Sequence, residues 1–481
     1  MIPPNFALDV PADLGPVHFI GIGGSGMTGI AHMMLDAGLT VSGSDRSDNK
    51  YLDKLRARGV KISIGHDAAN LPDDARTIVY TSALWPDNPE YLLAKSRGLN
   101  LLHRSQALHW LSRDNRVVTI AGAHGKTTTT GMIVTILREL GVDPGFVNGG
   151  IVLSLGASSA TGTDDLFVLE ADESDGSFRI YDTDVALVTN VDTVHMDHYG
   201  SADGVIEAYA AFVADSTADF VIAGEGANVD AVLARVPGKR HMRFGEAEGV
   251  DMRVSDIVTT DHVTFDLTWH GVTHRGRVNV PGRHTAINAA GAVAAVVELG
   301  YPFDTAIAAL EVFAGTNRRF ELMNVVRGVS CYDDYAHEPA EAAAAVAGAQ
   351  TVVGGGRVIA IHQPHLYSRT QMFSQDFAKA YEENADFTIV IAVDGAREDP
   401  IDGVSGQLVV DGFEDKSKVK LVEDWDEAAA FMATLAREGD IVMTLSCGTV
   451  YQLHPFLKGA LEATDEPARD LIAEGVAGTP S

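Results

Sequence analysis

The chain has 481 residues, room for two to four domains with several buried cores, which excludes a small stapled module. Hydrophobic residues make up 46% and charged residues 21%, the balance of a folded globular protein rather than a disordered one. Lys plus Arg number 36 against 66 Asp plus Glu, a net charge of -30 that repels phosphate backbones and anionic lipid heads and argues against nucleic acid as a partner.

Residues 17–22 read as a short buried strand, 21–26 as the turn after it, 27–37 as a helix ended by Gly38, and 39–42 as a second strand closing on Asp45. This is a βαβ unit. Apolar segments 77–82 and 99–102 continue the alternation, giving a first domain over 1–113. A new strand, 117–121, runs into a Gly-Lys-Thr loop and a helix through Leu140. Strands follow at 166–169 and 186–189, then an antiparallel ribbon at 263–269 and 272–280 and a buried helix at 287–299, so a second α/β domain is expected over 114–318. The third, 319–481, alternates helices with strands from Leu322 and at 357–361, 387–393 and 440–445, the pattern of a parallel sheet. From about Asp465 the chain is acidic and then Gly/Pro-containing, as in a frayed tail.

Two cysteines, Cys331 and Cys447, are too few for a disulfide framework or a cysteine zinc site and point to a reducing compartment. Apolar runs such as 289–297 fall far short of the roughly 20 residues that span a bilayer, and residues 1–10 lack the basic start and apolar core of a secretion signal. A cytoplasmic protein without membrane insertion is expected.

Several motifs carry chemistry. GIGGSG, residues 21–26, lies between a strand and a helix, where glycines let backbone approach a phosphate and the helix offers free N–H donors. Asp45 lies about 20 residues on, where a dinucleotide fold places its ribose acceptor, yet nicotinamide and nucleotide-sugar ligands fit the pattern equally. GAHGKT comprises Gly122, Ala123, His124, Gly125, Lys126 and Thr127; with Ile120 at the first glycine position it is a shortened Walker A loop. Lys126 can neutralise phosphate oxygens and the Thr127 hydroxyl can reach Mg²⁺. Glu170, Asp172, Glu173 and Asp175 emerge from an apolar strand, as metal ligands of an ATPase do and as a solvated loop also does. His195, Asp197 and His198 follow the strand 186–189; His195 is either a second metal ligand or a polar loop residue. Asp333, Asp334 and His337 follow one strand of the third domain, and His365 and Arg369 another, at the sheet edge where open α/β folds bind ligands.

Taken in order, GIGGSGM, GAHGKTTT, LEADESDGSF, NVDTVHMDHY, PGRHTAINA, NRRFE, DDYAHEP and QPHLYSRT resemble the Mur ligases over residues 17–457. The resemblance implies an N-terminal Rossmann-like domain for a UDP-sugar, a central P-loop-type ATPase domain and a C-terminal Rossmann-like domain for an amino acid. It implies that ATP phosphorylates the lactyl carboxylate of UDP-N-acetylmuramate and that the amine of L-alanine attacks the acyl phosphate. Transferred residue by residue, the loop from Gly122 through Thr128 would hold ATP, with Thr127, Glu170 and His195 on Mg²⁺ or Mn²⁺. His284 and Asn288 would lie at the adenine and Arg319 on ATP. Asp333, His337, His365 and Arg369 would line the amino-acid side, and Lys126, His195, His337 and Arg369 would carry the catalysis. Gly23, Gly24, Ser25, Gly26, Met27, Asp45, Ser82 and Arg104 would face the uridine diphosphate sugar. A monomer and a homodimer are both compatible with this.

The chain departs from the family at Glu338, where a second histidine is frequent, at Ser446, Cys447, Gly448 and Thr449, in place of a Gly-Ala-Gly-Asp run, and at Val194, in place of an acid. The first two bear on amino-acid choice. Residues 201–220 contain no lysine to be carbamylated, which fits the L-alanine branch. Three rival readings stay open: a sister ligase that adds a whole murein peptide, an NAD-dependent oxidoreductase, and a nucleotide-binding module without catalysis. The oxidoreductase reading leaves residues 122–127 unexplained, and intact Lys126, Thr127 and Glu170 argue against the last.

Overall fold

The computed structural model describes residues 2, 5, 10–192, 199–217, 220–396 and 398–463. It contains three parallel or mostly parallel sheets with helices between their strands. In the first, β1 (Val17–Ile20), β2 (Val41–Asp45), β3 (Lys61–Ile64), β4 (Thr77–Tyr80) and β5 (Asn100–His103) run parallel in the order β3-β2-β1-β4-β5. All four residues of β1 and of β4 are buried, as expected of strands covered on both faces. The chain reverses its direction of sheet growth between β1 and β4, so the turn after β1 and Ser82 after β4 meet at a switch point.

The second sheet comprises β6 (Arg116–Ala121), β7 (Gly145–Val152), β8 (Ala157–Ala160), β9 (Leu166–Glu170), β10 (Thr183–Val188), β11 (Phe220–Gly224), β12 (Arg240–Gly245), β13 (Met252–Thr259), β14 (Val263–Trp269) and β15 (Val272–Val278). Its order is β15-β14-β13-β12-β11-β10-β6-β9-β7-β8. Parallel pairing sets Ile120 opposite Glu170 and Ala121 opposite Val188, so the loops leaving β6, β9 and β10 emerge at one edge. The expected ribbon is β14 and β15, joined through His270 and Gly271 with φ of 49° and 77°, a two-residue hairpin turn.

The third sheet holds β16 (Glu321–Val326), β17 (Val329–Asp334), β18 (Val358–His362), β19 (Phe387–Val390), β20 (Val419–Leu421) and β21 (Ile441–Leu445) in the order β16-β17-β21-β18-β19-β20, parallel except for β16 against β17. Asp333 and Asp334 end β17 rather than follow it. Strands β3 and β8 escape the sequence reading because KISI and ASSA carry too few apolar residues to announce themselves.

The chain forms two compact units, one of Met1–Asp256, Phe265–Arg277 and Ala286–Ala314, the other of Ile257–Thr264, Val278–Thr285 and Gly315–Ser481. Within the first, one apolar cluster runs from Phe19 and Met34 to Phe167 and Val188. The helix Ser25–Asp36 lies against the β8 segment: Thr161 Oγ1 donates to Asp36 Oδ2 at 2.8 Å, and a Cβ on Gly29 would stand 2.6 Å from Ser159 Oγ. Among the described residues no helix is long and apolar enough to cross a membrane.

Candidate functional site

The loop after β6 turns into the helix Lys126–Glu139 through two glycines that no other residue replaces easily. Gly122 has φ 141° and Gly125 φ 82°; a Cβ on the first would stand 1.9 Å from Thr189 Oγ1, and one on the second 2.5 Å from Asn288 Oδ1. Asn190 clamps the loop by accepting from the His124 N–H and donating to the His124 carbonyl, both at 2.9 Å. Lys126 Nζ donates to the carbonyl of Gly122 at 2.5 Å and to Glu173 Oε1 at 2.9 Å, with Oε2 of the same carboxylate at 2.8 Å. Burial alone would lower its pKa, but Glu173 and Glu170 outweigh that and raise it, so the ammonium stays charged. Thr127 Oγ1 donates to Glu170 Oε1 at 2.9 Å, and Oε2 accepts from the Gly149 N–H at 2.6 Å.

This arrangement is an anion cradle with hard oxygen donors beside it. Mg²⁺ takes one or two carboxylates and fills its remaining positions with phosphate oxygens and water, so Glu170 and Thr127 suit it. Among the described residues no three His, Cys, Asp or Glu side chains converge as a ready cage. His195 lies outside the described residues, with Asp197 and His198.

In the first sheet, Asp45 Oδ2 accepts from the Gly23 N–H at 2.7 Å, and a Cβ on Gly23 would stand 2.6 Å from Asn49 Nδ2. Asp45 therefore shapes the glycine turn directly. Gly24 caps the helix Ser25–Asp36, whose first turn holds Gly26 and buried Met27. Arg104 opens the helix Arg104–Ser112 with Nη1 3.7 Å from where a Cβ on Gly26 would lie, while Nη2 donates to Asp172 Oδ2 at 2.7 Å. Burial opposes ionisation of Asp172, yet Arg104 and Ser174 hold its carboxyl down at about 2. Ser82 Oγ donates to Asp175 Oδ2 and meets His103 Nε2, each at 2.9 Å; burial drops that imidazole to about 4.

In the second unit, Asp333 is fully buried and accepts from Arg318 Nε at 2.8 Å and from Thr444 Oγ1 at 2.6 Å. Burial raises its carboxyl to about 6 against the pull of Arg318. The same guanidinium donates to the carbonyls of Ser446 and, at 2.9 Å, Gly448. Arg318 and Arg319 both lie 5.1 Å from the Tyr335 ring centroid. His337 Nδ1 stands 3.1 Å from Glu341 Oε2, and Arg369 Nη1 reaches the His337 carbonyl at 3.5 Å. His365 bridges in parallel register to Asp394, whose carboxylate accepts from the Thr449 N–H and hydroxyl at 3.2 Å. His284 is exposed at the start of the helix Arg283–Glu298.

Three family models match: the Mur ligase catalytic domain over residues 16–116, the Mur ligase middle domain over 120–296 and the Mur ligase glutamate ligase domain over 318–448. The chain belongs to the Mur ligase family. This Mur ligase is 56% identical over 462 residues to a protein of Clavibacter sepedonicus named UDP-N-acetylmuramate--L-alanine ligase, covering 96% of this chain and 97% of that one. A protein of the same name from Paenarthrobacter aurescens is 44% identical over 93% of this chain and 97% of its own. The crystal structure of UDP-N-acetylmuramate-alanine ligase from Thermotoga maritima superposes with a TM-score of 0.78 at 25% identity, over 93% of this chain and all of that one. A murein peptide ligase from Psychrobacter arcticus, at 24% identity and a TM-score of 0.71, shares the fold.

The geometry of this Mur ligase brings together Lys126, Thr127, Glu170 and Asn288 in the first unit, and His337 with Arg369 in the second. Thr128 lies half-buried in the first turn of the helix Lys126–Glu139. The sequence does not assign three participants as the structure sets them. Glu173 stands among four candidate metal ligands, yet it pairs with Lys126. Asn190 follows β10 as one polar residue among several. Arg318 is hidden beside Arg319, and the NRRFE run gives no sign of which arginine takes Asp333.

Proposed function

We propose that this Mur ligase joins L-alanine to the lactyl carboxylate of UDP-N-acetylmuramate at the expense of ATP, in the cytoplasm, as a step of peptidoglycan precursor synthesis. The observation that carries the reading is the charged Lys126 beside the Thr127–Glu170 pair in a chain 56% identical to a relative bearing that name. The domains are assigned to residues 1–113 for the UDP-sugar, 114–318 for ATP and 319–481 for the amino acid.

A carboxylate oxygen of the lactyl group takes the γ-phosphoryl group and ADP leaves; the neutral amine then attacks the acyl carbon, phosphate departs with its oxygen, and the nitrogen loses a proton. Lys126 and the N–H groups of residues 122–128 hold the phosphates, and the lysine charge opposes the negative charge gathered on the transferring group. Thr127 and Glu170 would hold Mg²⁺ or Mn²⁺, with His195 as a further ligand; that ion, when bound, neutralises phosphoryl charge. Asn288 and His284 are assigned to the adenine and Arg319 to ATP, while Asp333 stays on the amino-acid side of the C-terminal domain. The glycine turn from Gly23 through Met27, shaped by Asp45, takes the diphosphate with Ser82 and Arg104. Arg369 grips the carboxylate of L-alanine as a fork, with His337 and His365 beside it.

The test is phosphate release with UDP-N-acetylmuramate against a panel of amino acids and the murein tripeptide. Release that depends on L-alanine supports the reading. A preference for the tripeptide moves the chain to the recycling branch.

A further inference from the structure

The acid segment that ends β9 and follows it points its side chains alternately to two places. Glu170 accepts from Thr127 and Glu173 from Lys126, both in the phosphate loop. Asp172 accepts from Arg104, and Asp175 from Ser82, both in the first domain. Two cations assigned to phosphates of two different ligands are therefore each held by a carboxylate, and those carboxylates belong to adjacent residues. Arg104 reaches the segment from beside Gly26, and Lys126 from the loop whose Gly122 carbonyl it also holds. The chain carries -30 overall, so a cation bound by its own acid is poorly available to a polyanion until that acid withdraws.

We propose that Asp172 and Glu173 form a shared mask that couples UDP-sugar binding to ATP binding, with Asp172 as a positioning residue acting through Arg104. This rests on the assignment of Arg104 to the diphosphate and Lys126 to ATP. A phosphate that takes Lys126 displaces Glu173 and strains the hydrogen bond by which the Tyr199 hydroxyl holds the Glu173 carbonyl in the masked shape. That displacement moves the neighbouring peptide, and Asp172 with it, because Asp172 also accepts from Ser174 N and Oγ at 3.0 and 2.6 Å and so holds the loop in its masked shape. The first ligand opens the mask, and the second binds without opening it again. The coupling is positive and reciprocal.

Calorimetric titration of the full chain with UDP-N-acetylmuramate, with and without a non-hydrolysable ATP analogue and Mg²⁺, tests this. In the wild type the analogue should tighten UDP-N-acetylmuramate about five- to tenfold, a coupling of ordinary allosteric size. Asp172→Asn should tighten UDP-N-acetylmuramate in the absence of the analogue and bring the coupling to within about twofold of none. Asp172→Glu, which keeps the charge, should retain it, and equal thermal midpoints of the variants show that folding is not the cause. An uncoupled wild type, or an Asp172→Asn variant that stays fully coupled, overturns the proposal. Arg104→Gln separates this from the underlying assignment: if it leaves UDP-N-acetylmuramate affinity unchanged, the diphosphate site itself is misplaced.

Discussion

Arg318 donates from Nε to Oδ2 of Asp333 at 2.8 Å and, with the other end of the same guanidinium, fastens the carbonyls of Ser446 and Gly448. One side chain thus fixes the end of β17 to the loop after β21. A lysine has one point charge and no fork, so it cannot serve both. Arg318→Ala should cost about 3 kcal/mol, because it strands a buried carboxylate. Arg318→Lys should raise the KM for L-alanine more than that for ATP. Urea unfolding and steady-state kinetics check the two.

Lys126→Ala should abolish turnover while leaving UDP-N-acetylmuramate binding intact. Losing one cation from a phosphoryl-transfer site removes several kcal/mol of transition-state stabilisation, roughly two or more decades in rate. Titration calorimetry beside a phosphate-release assay measures both, and wild-type rates in the variant would remove Lys126 from the site.

Glu170→Gln should sharply raise the Mg²⁺ concentration needed for half-maximal rate. Its carboxylate receives Thr127 and the Gly149 N–H together, and an amide retains the shape while losing the charge. An unchanged metal dependence would put the ion elsewhere.

Arg369→Lys should raise the KM for L-alanine far more than that for either nucleotide. The carboxylate is the one permanent negative charge on the amino acid, and a bidentate grip is what lysine cannot offer. Damage to ATP use with L-alanine KM unchanged would assign Arg369 to the phosphates.

Glu90 is fully buried in the first domain, with His18 Nε2 at 2.8 Å, Ser44 Oγ at 2.7 Å and His66 Nδ1 at 3.1 Å. Burial pushes its carboxyl up, but bonds from His18, His66 and Ser44 outweigh that and hold it at about 2, below the ordinary 4.5. A depressed folded pKa means stability present above 4.5 and lost as pH falls from 4.5 towards 2, with a size of about 3 kcal/mol. Glu90→Gln should flatten the urea midpoint across that range, and an unchanged acid slope would refute the assignment.

The turn from Gly122 to Thr127 is legible because its information is local: a strand, two glycines, a lysine and a threonine within a dozen residues. The acid run was legible as a cluster, but which acid meets which cation depends on side-chain directions in an irregular segment without period. That is why the sequence offers Asp172 and Glu173 only as candidate metal ligands, whereas the structure sets them on Arg104 and Lys126. Asp45 shows what spacing does not give: beside the ribose acceptor expected at its position, its carboxylate takes the Gly23 N–H. Arg318 was obscured by backbone: with φ 59° it sits in a left-handed conformation that the sequence does not announce, and this sets its side chain apart from that of Arg319. The short strands β3 and β8 are held by pairing with their neighbours rather than by their own composition.

The packing of the helix Ser25–Asp36 against the β8 segment bears on how this enzyme can be cut. Gly29 admits Ser159 so closely that no side chain fits between, and Thr161 holds Asp36. A fragment ending near residue 113 would lose the cover of its own helix Ser25–Asp36, and Met34 and Phe19 would lose their share of a core completed by Phe167 and Val188. The first sheet with its helices is therefore half of a fold, and a workable boundary for expression falls after Ala314, where the first compact unit ends.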